Sequence, residues 1–136
     1  VMARVVRPTE EWRESIAEEA ELVAQGDLDA EFAVTAELYP PDLLQRLDEV
    51  FDELETRASQ LDGRPDDDVL LLIQETVLQL NAINDGYEQD AIATEGRTRL
   101  CSYIDQTLTA ANIDLDALSA RHNVARSDLT DEWRTW

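Results

Sequence analysis

Apolar positions are densest in residues 65–87, where Val69, Leu70, Leu71, Leu72, Ile73, Val77, Leu78, Leu80 and Ile83 follow three aspartates. Val69, Ile73, Thr76, Leu80, Ile83 and Tyr87 recur three or four apart, which is the period of a helix. The first turns are apolar almost all round. Such a helix belongs in the middle of a core, wrapped by its neighbours. It is too short and too often interrupted by polar residues to cross a bilayer.

The flanking pattern predicts helices on both sides of this rod. Over residues 9–25, Trp12, Ile16, Ala20 and Val23 form an apolar stripe; Thr9 stands behind Pro8 as an N-cap and Gly26 supplies the stop. Glu11, Glu14, Glu18 and Glu21 line the opposite, solvated side. A second, shorter helix capped by Asp27 or Asp29 carries Leu28, Phe32, Ala33, Ala36 and Leu38, and Tyr39-Pro40-Pro41 ends it. Pro41 then opens a third helix reaching about Leu61. Its Leu44, Leu47, Phe51, Leu54, Ala58 and Leu61 alternate as in a seam packed against another long helix. The turn Asp62-Gly63-Arg64-Pro65 makes that helix and the central rod an antiparallel hairpin. A fifth helix runs over roughly 91–111 with Leu100, Cys101, Ile104 and Leu108 inward, and Asn112-Ile113-Asp114 breaks it. Two short helices, about 115–121 and 127–134, follow, anchored by Leu115, Leu118, Val124, Leu129 and Trp133.

Strand alternation and hairpin dipeptides do not occur. The expected fold is therefore all-α: one irregular helical bundle of five main helices with one or two short C-terminal ones. Residues 1–8 form an arm, 9–39 a helical pair, 41–111 the core helices and 112–136 the closing segment. Val1 precedes Met2 and is expected to be a cloning remnant; no secretion or lipidation signal is read at the start.

Charge changes this picture more than size does. Among 136 residues, 31 are Asp or Glu and 11 are Lys or Arg, giving a formal net charge of -20, and every cation is an arginine. Residues 1–40 hold ten acids and three arginines, and residues 65–90 hold seven acids and no base. That field opposes nonspecific binding to nucleic acid or anionic lipid. It is read either as a product of genome composition or a high-salt cytoplasm, or as a surface made to meet a cationic partner. The single cysteine excludes an internal disulfide and suits a reducing cytoplasm.

Candidate chemistry is sparse. Asp66-Asp67-Asp68 reads as a divalent-cation site or as three acids favoured by the dipole of a helix N-terminus, and the second reading is preferred. Asn81 to Glu88 fails as a calcium loop, because Ile83 and Ile92 fall where oxygen ligands are required. His122 is alone, which rules out a Glu-x-x-His di-iron arrangement. Cys101 lies in an apolar stripe and reads as an inert thiol. No phosphate loop, nucleophile elbow or zinc spacing occurs. Catalytic, cofactor and metal residues are accordingly expected to be none. An enzyme would instead need a carboxylate beside Tyr87 or Tyr103 in a polar cavity.

The tail, Leu118 to Trp133, has the outline of a helix-turn-helix, with Asn123 at the turn and Val124 and Leu129 inward. Arg126, Ser127, Thr130 and Arg134 would read DNA, but Asp128, Asp131 and Glu132 would face phosphates. The preferred alternative is a pair of short helices closing the bundle. Trp133 is expected to plug the core, whereas Trp136 is either a plug or a partner anchor.

From about residue 35, the chain resembles a family of small acidic bacterial helical proteins catalogued as a domain of unknown function. The residues that carry the resemblance are Leu38-Tyr39-Pro40-Pro41 with Leu43-Leu44, Leu80-Asn81-Ala82-Ile83, Tyr87-Glu88, Thr94-Glu95, Arg99, Ile104, Ile113-Asp114 and a late tryptophan. The family carries a Thr-His pair early in its central helix; here Glu75-Thr76 stands nearby and the histidine is absent, and Ala91-Ile92 stands where the family has Gly-Ser. The resemblance implies a helical fold and no catalytic residues.

Taken together, these readings predict a non-enzymatic cytoplasmic interaction protein of immunity or regulatory type. Its partner is a protein, basic in character, met through Glu14, Glu18, Glu21, Asp66, Asp67, Asp68 and Trp136. A transcriptional regulator using 115–134 is the alternative. A homodimer through the Leu44–Leu61 seam is allowed; membrane attachment and nucleic acid are not expected.

Overall fold

Helices α3 (Pro41–Ala58) and α4 (Asp66–Asp85) begin in the same way. In each, a proline in extended conformation, Pro40 or Pro65, precedes the first turn. Pro41 occupies the first helical position, where its missing N–H would have had no helical partner. The computed structural model describes residues 5–86, 92 and 94–136, the side chains of Thr94 and Glu95 excepted. Four further helices are described: α1 (Pro8–Gln25), α2 (Thr35–Leu38), α5 (Thr94–Ala110) and α6 (Leu115–Arg121). The fold is all-α, with no strand among the described residues.

The predicted hairpin forms. Arg57 reaches Glu75, Gln79 reaches Glu53 at 3.1 Å, and a side chain at Gly86 would meet Arg46 at 3.8 Å. These contacts run in opposite directions along the two helices, so α3 and α4 are antiparallel. Gly63, at φ 77, makes the turn between them. Leu47, Phe51, Leu54 and Ala58 are buried against Val69, Leu72, Ile73, Val77 and Leu80, and Leu100, Tyr103, Ile104 and Leu108 of α5 complete the layer. Of the Leu44–Leu61 seam, Leu44, Leu47, Phe51, Leu54 and Ala58 are buried within the chain and Leu61 is partly buried against the same core.

The central rod is not wrapped all round. Leu71 and Leu78 are 47% and 46% exposed. They lie seven apart on one stripe of α4, and the core closes on the other side. A run of valine, three leucines and isoleucine hides which of its members has a neighbour.

The N-terminal third departs further from expectation. The N-cap of α1 is Arg7, and its side chain makes no capping bond. Thr9 is instead fully buried inside the first turn and donates its hydroxyl to Asp48 at 2.5 Å. The predicted ending holds: Gly26 takes φ 81 and the Asp27 N–H closes on the Leu22 carbonyl at 2.9 Å. The expected second helix is broken into a 3-10 turn over Ala30–Phe32 and the single turn of α2. Phe32 and Leu38, expected inward, are 61% and 60% exposed. Phe32 and Leu38 stand six apart, on different faces of a helix, so one helix over this stretch would not bury both on a single stripe.

Asn112, in the left-handed region at φ 68, ends α5, and Asp114 caps α6 by accepting the Ala117 N–H at 3.0 Å. Asn123 turns at φ 55 as expected. The helix expected at 127–134 is absent; a 3-10 turn over Arg126–Asp128 and further turns take its place. Val124 is exposed, whereas Leu129 is buried. Asn81 holds this tail: its Nδ2 donates to the Trp133 carbonyl at 2.7 Å and its Oδ1 accepts the Thr135 N–H at 3.2 Å. Trp136 consequently lies in the core, 8% exposed, and is not a surface anchor. Asn84 does similar work one turn later, accepting the Ile92 N–H at 2.8 Å. No helix among the described residues is long and apolar enough to cross a membrane.

Candidate functional site

The arginines are the key to the surface. Arg7 donates to Glu55 at 2.7 Å and to Asp52 at 2.6 Å, and Arg13 lies 2.7 Å from Asp48, so α1 is tied to α3. Arg99 of α5 grips Glu11 with two hydrogen bonds, 2.6 and 2.8 Å, and reaches the Val6 carbonyl at 2.9 Å. Arg57 pairs with Glu75 between α3 and α4. Arg121 of α6 grips Asp66 of α4 through two bonds of 2.7 Å. Arg126 holds Asp105 of α5 at 2.7 and 2.6 Å and Asp116 of α6 at 3.2 Å. Six arginines thus bridge separate elements, each engaged with carboxylates of the same chain. Bidentate guanidinium pairs of this kind hold two surfaces in one register.

Several expected site residues find their places here. Glu14, Glu18 and Glu21 are exposed on α1, and Glu21 accepts a bond from Gln25 at 3.3 Å. Glu11, expected on the same solvated face, is clamped by Arg99, whose hydrogen bonds hold its carboxyl below the usual carboxylate range. Asp66 is lowered for the same reason, by Arg121 first and also by His122 at 3.2 Å. Asp67 is exposed and Asp68 half-buried in the first turn of α4. The triplet therefore serves a helix start and one interhelical pair. Among the described residues no three His, Cys, Asp or Glu side chains converge as metal ligands.

The four would-be DNA-reading residues do not share a helix face. Arg126 is engaged as described, and its Nη2 also donates to Thr109 at 2.9 Å. Thr130 is buried with its Oγ1 3.6 Å from the Cys101 sulfur. Arg134 pairs with Asp131 at 2.5 Å and lies over the Trp136 ring, 5.4 Å from its centroid. Ser127 alone of the four is exposed, and it lines a cavity of about 240 Å³ with Ile73, Cys101 and Leu129.

A carboxylate does stand beside Tyr103. The phenol, fully buried and tilted against Phe51 at 4.6 Å, donates to Glu55. Burial first, and that bond second, push its pKa up, so its proton stays in place at physiological pH. Arg7 occupies the same carboxylate, and with Tyr103 it makes Glu55 a structural junction between the arm, α3 and α5. Tyr87, the other position named for such a pair, lies outside the described residues, as do Glu88 and Asp90.

One surface was missed by sequence reasoning. Ile16, Ala17 and Ala20 of α1 face Ala36, Tyr39, Pro41 and Leu44 across an open, mainly apolar groove of about 320 Å³. At its base Trp12 stacks on Tyr39, ring centroids 4.1 Å apart and 10° from parallel. After Pro8 and Thr9, α1 buries no further residue. The exposed alanines at 17, 20 and 24 were the available signal, since an apolar stripe that small closes poorly over a core. Set against known proteins, the chain matches no family model, no curated protein and no solved structure.

Proposed function

We propose that the chain is a non-enzymatic interaction protein of the cytoplasm, of immunity or regulatory type, whose acidic helical surface binds a protein partner of basic character. The observation that carries this reading is the engagement of Arg7, Arg13, Arg57, Arg99, Arg121 and Arg126 with carboxylates of the same chain. With those cations tied between elements, the excess of twenty negative charges lies on the outside. A field of that strength accelerates encounter with a cationic partner and repels polyanions. Carboxylates kept only for hydration would support the protein in high salt without any partner.

The test is affinity capture from native lysate at low and high ionic strength, with bound proteins identified at each. A partner retained at low salt and released as salt rises is expected; no partner at any ionic strength refutes the reading. For residues 115–134 as a DNA reader, the engaged Arg126 and Arg134 weigh against it, and a gel shift lost on Arg126→Glu would reverse that judgement.

A further inference from the structure

We propose that the groove between α1 and the 36–44 segment is the docking site for one basic amphipathic helix of the partner, an inference that rests on the interaction role above. Three observations define the occupant. The first is shape. Ile16, Ala17 and Ala20 form one wall and Ala36, Tyr39 and Leu44 the other, with Arg13 at the edge, its charge offset by Asp48, so the floor is mainly apolar and two of its α1 positions are small. A helix backbone approaches closely over alanines, and its anchors at helical spacing enter such a groove.

The second is the incomplete packing of α1. α1 fully buries only Pro8 and Thr9 over its 18 residues, and Trp12, Ile16, Leu22 and Val23 on its apolar side stay half-buried. In the facing segment Leu38 is also exposed, as are Phe32 and Val34 just before it in the chain. Large exposed apolar groups gathered in one region mark contact surfaces.

The third is charge, and it selects among occupants. Residues 8–45 carry eleven carboxylates and a single cation, Arg13, which is held by Asp48 at 2.7 Å. Within α1, Glu14 and Glu21 lie one turn from Ala17 and are exposed beside it. A second copy of the chain would bring an equally acidic face against this one, and like charges at an interface are strongly unfavourable. A helix with leucine-type anchors and arginine or lysine flanks satisfies both floor and rim. The arrangement also explains why Glu14, Glu18 and Glu21 have no interhelical arginine of their own among the pairs described, unlike Glu11.

The probe is a synthetic amphipathic helix of leucine and arginine, about 18 residues long to match α1. It is compared with a scrambled peptide of identical composition and with a version carrying glutamate for arginine. Binding to the full chain is read by fluorescence anisotropy at about 0.15 M salt, and the site by amide chemical-shift changes. Two charge-matched double variants are used, Ala17→Arg with Ala20→Arg in the groove, and Leu71→Arg with Leu78→Arg on α4, each checked for retained helicity. The patterned peptide is expected to bind, to shift resonances within residues 13–44, and to lose at least about tenfold in affinity with the groove variant only. Equal binding of the scrambled peptide, equal loss in both variants, or no binding overturns the groove as the site. Tight binding of the glutamate version, or self-association at high salt that the groove variant abolishes, overturns the basic helix as its occupant. Lysate capture separates the two levels: a salt-sensitive partner still captured by the groove variant leaves the interaction role standing while the groove assignment fails.

Discussion

Two regions of this molecule are held together by different physics. The α3–α4–α5 layer is fixed by buried apolar side chains, with Phe51, Val77, Leu80, Leu100 and Tyr103 fully inaccessible. The α1–α2 region buries almost nothing beyond Thr9 and is attached by Arg7, Arg13 and Arg99 and by the Trp12–Tyr39 stack. Apolar burial is non-directional and is not screened by salt, while ion pairs on a half-exposed joint contribute little and weaken as salt rises. The first region therefore sets global stability. The second is poised to open on its own, as segments with few buried contacts do.

The largest effect expected from breaking this contrast comes from matched truncations. Phe51→Ala should cost about 3–5 kcal/mol in urea unfolding, since it removes a buried ring packed on Tyr103. Ile16→Ala, on the groove wall, should cost less than about 1 kcal/mol. Similar losses at the two positions would erase the distinction. A smaller effect follows from Arg7→Met, which removes the bonds to Glu55 and Asp52. It should lower stability by about 1–2 kcal/mol, with faster hydrogen exchange across residues 8–25 and little change in α4. Uniform loss of protection would show that α1 belongs to the core's cooperative unit.

The smallest effect concerns acid. Glu11 has its folded-state pKa lowered from 4.5, so its pairing with Arg99 stabilises the fold above that value and is lost as pH falls through the folded pKa. Arg99→Gln should therefore destabilise by less than about 1 kcal/mol at neutral pH, and the difference from wild type should shrink in melts as pH falls through the folded pKa of Glu11. A difference that persists below it would assign the loss to packing instead. Asp66, lowered from 3.8 by Arg121, follows the same sign and tethers α6 rather than α1.

What was legible in the sequence divides along the same line. The Leu47–Phe51–Leu54–Ala58 stripe, the proline starts and the Gly26 stop are local signals that agree with tertiary packing, so α3, α4 and the end of α1 were readable. In the 27–40 stretch the apolar residues have no consistent period and no buried destination, and the expected helix dissolved into turns. At Leu71, Leu78 and Val124 the residue type was read as burial, yet burial depends on which neighbours arrive. Thr9 failed for a related reason, since its partner Asp48 lies far away in sequence; Trp136, left open between plug and anchor, is buried beside a tail that the distant Asn81 holds through Trp133 and Thr135. The candidate surface was half legible. Glu14, Glu18 and Glu21 were read correctly as solvated, but the groove beside them arises only when Tyr39 stacks on Trp12.

The arginine bridges have one last consequence. Because each guanidinium is neutralised inside the fold, the outer carboxylates must draw their counterions from solution, and the protein carries a cloud of small cations as a polyanion does. An arginine-bearing partner would displace part of that cloud, and the freed ions would gain entropy. Proteins gain affinity for DNA in the same way, with the roles of the two surfaces reversed. The slope of binding against the logarithm of salt concentration would then count the carboxylates covered.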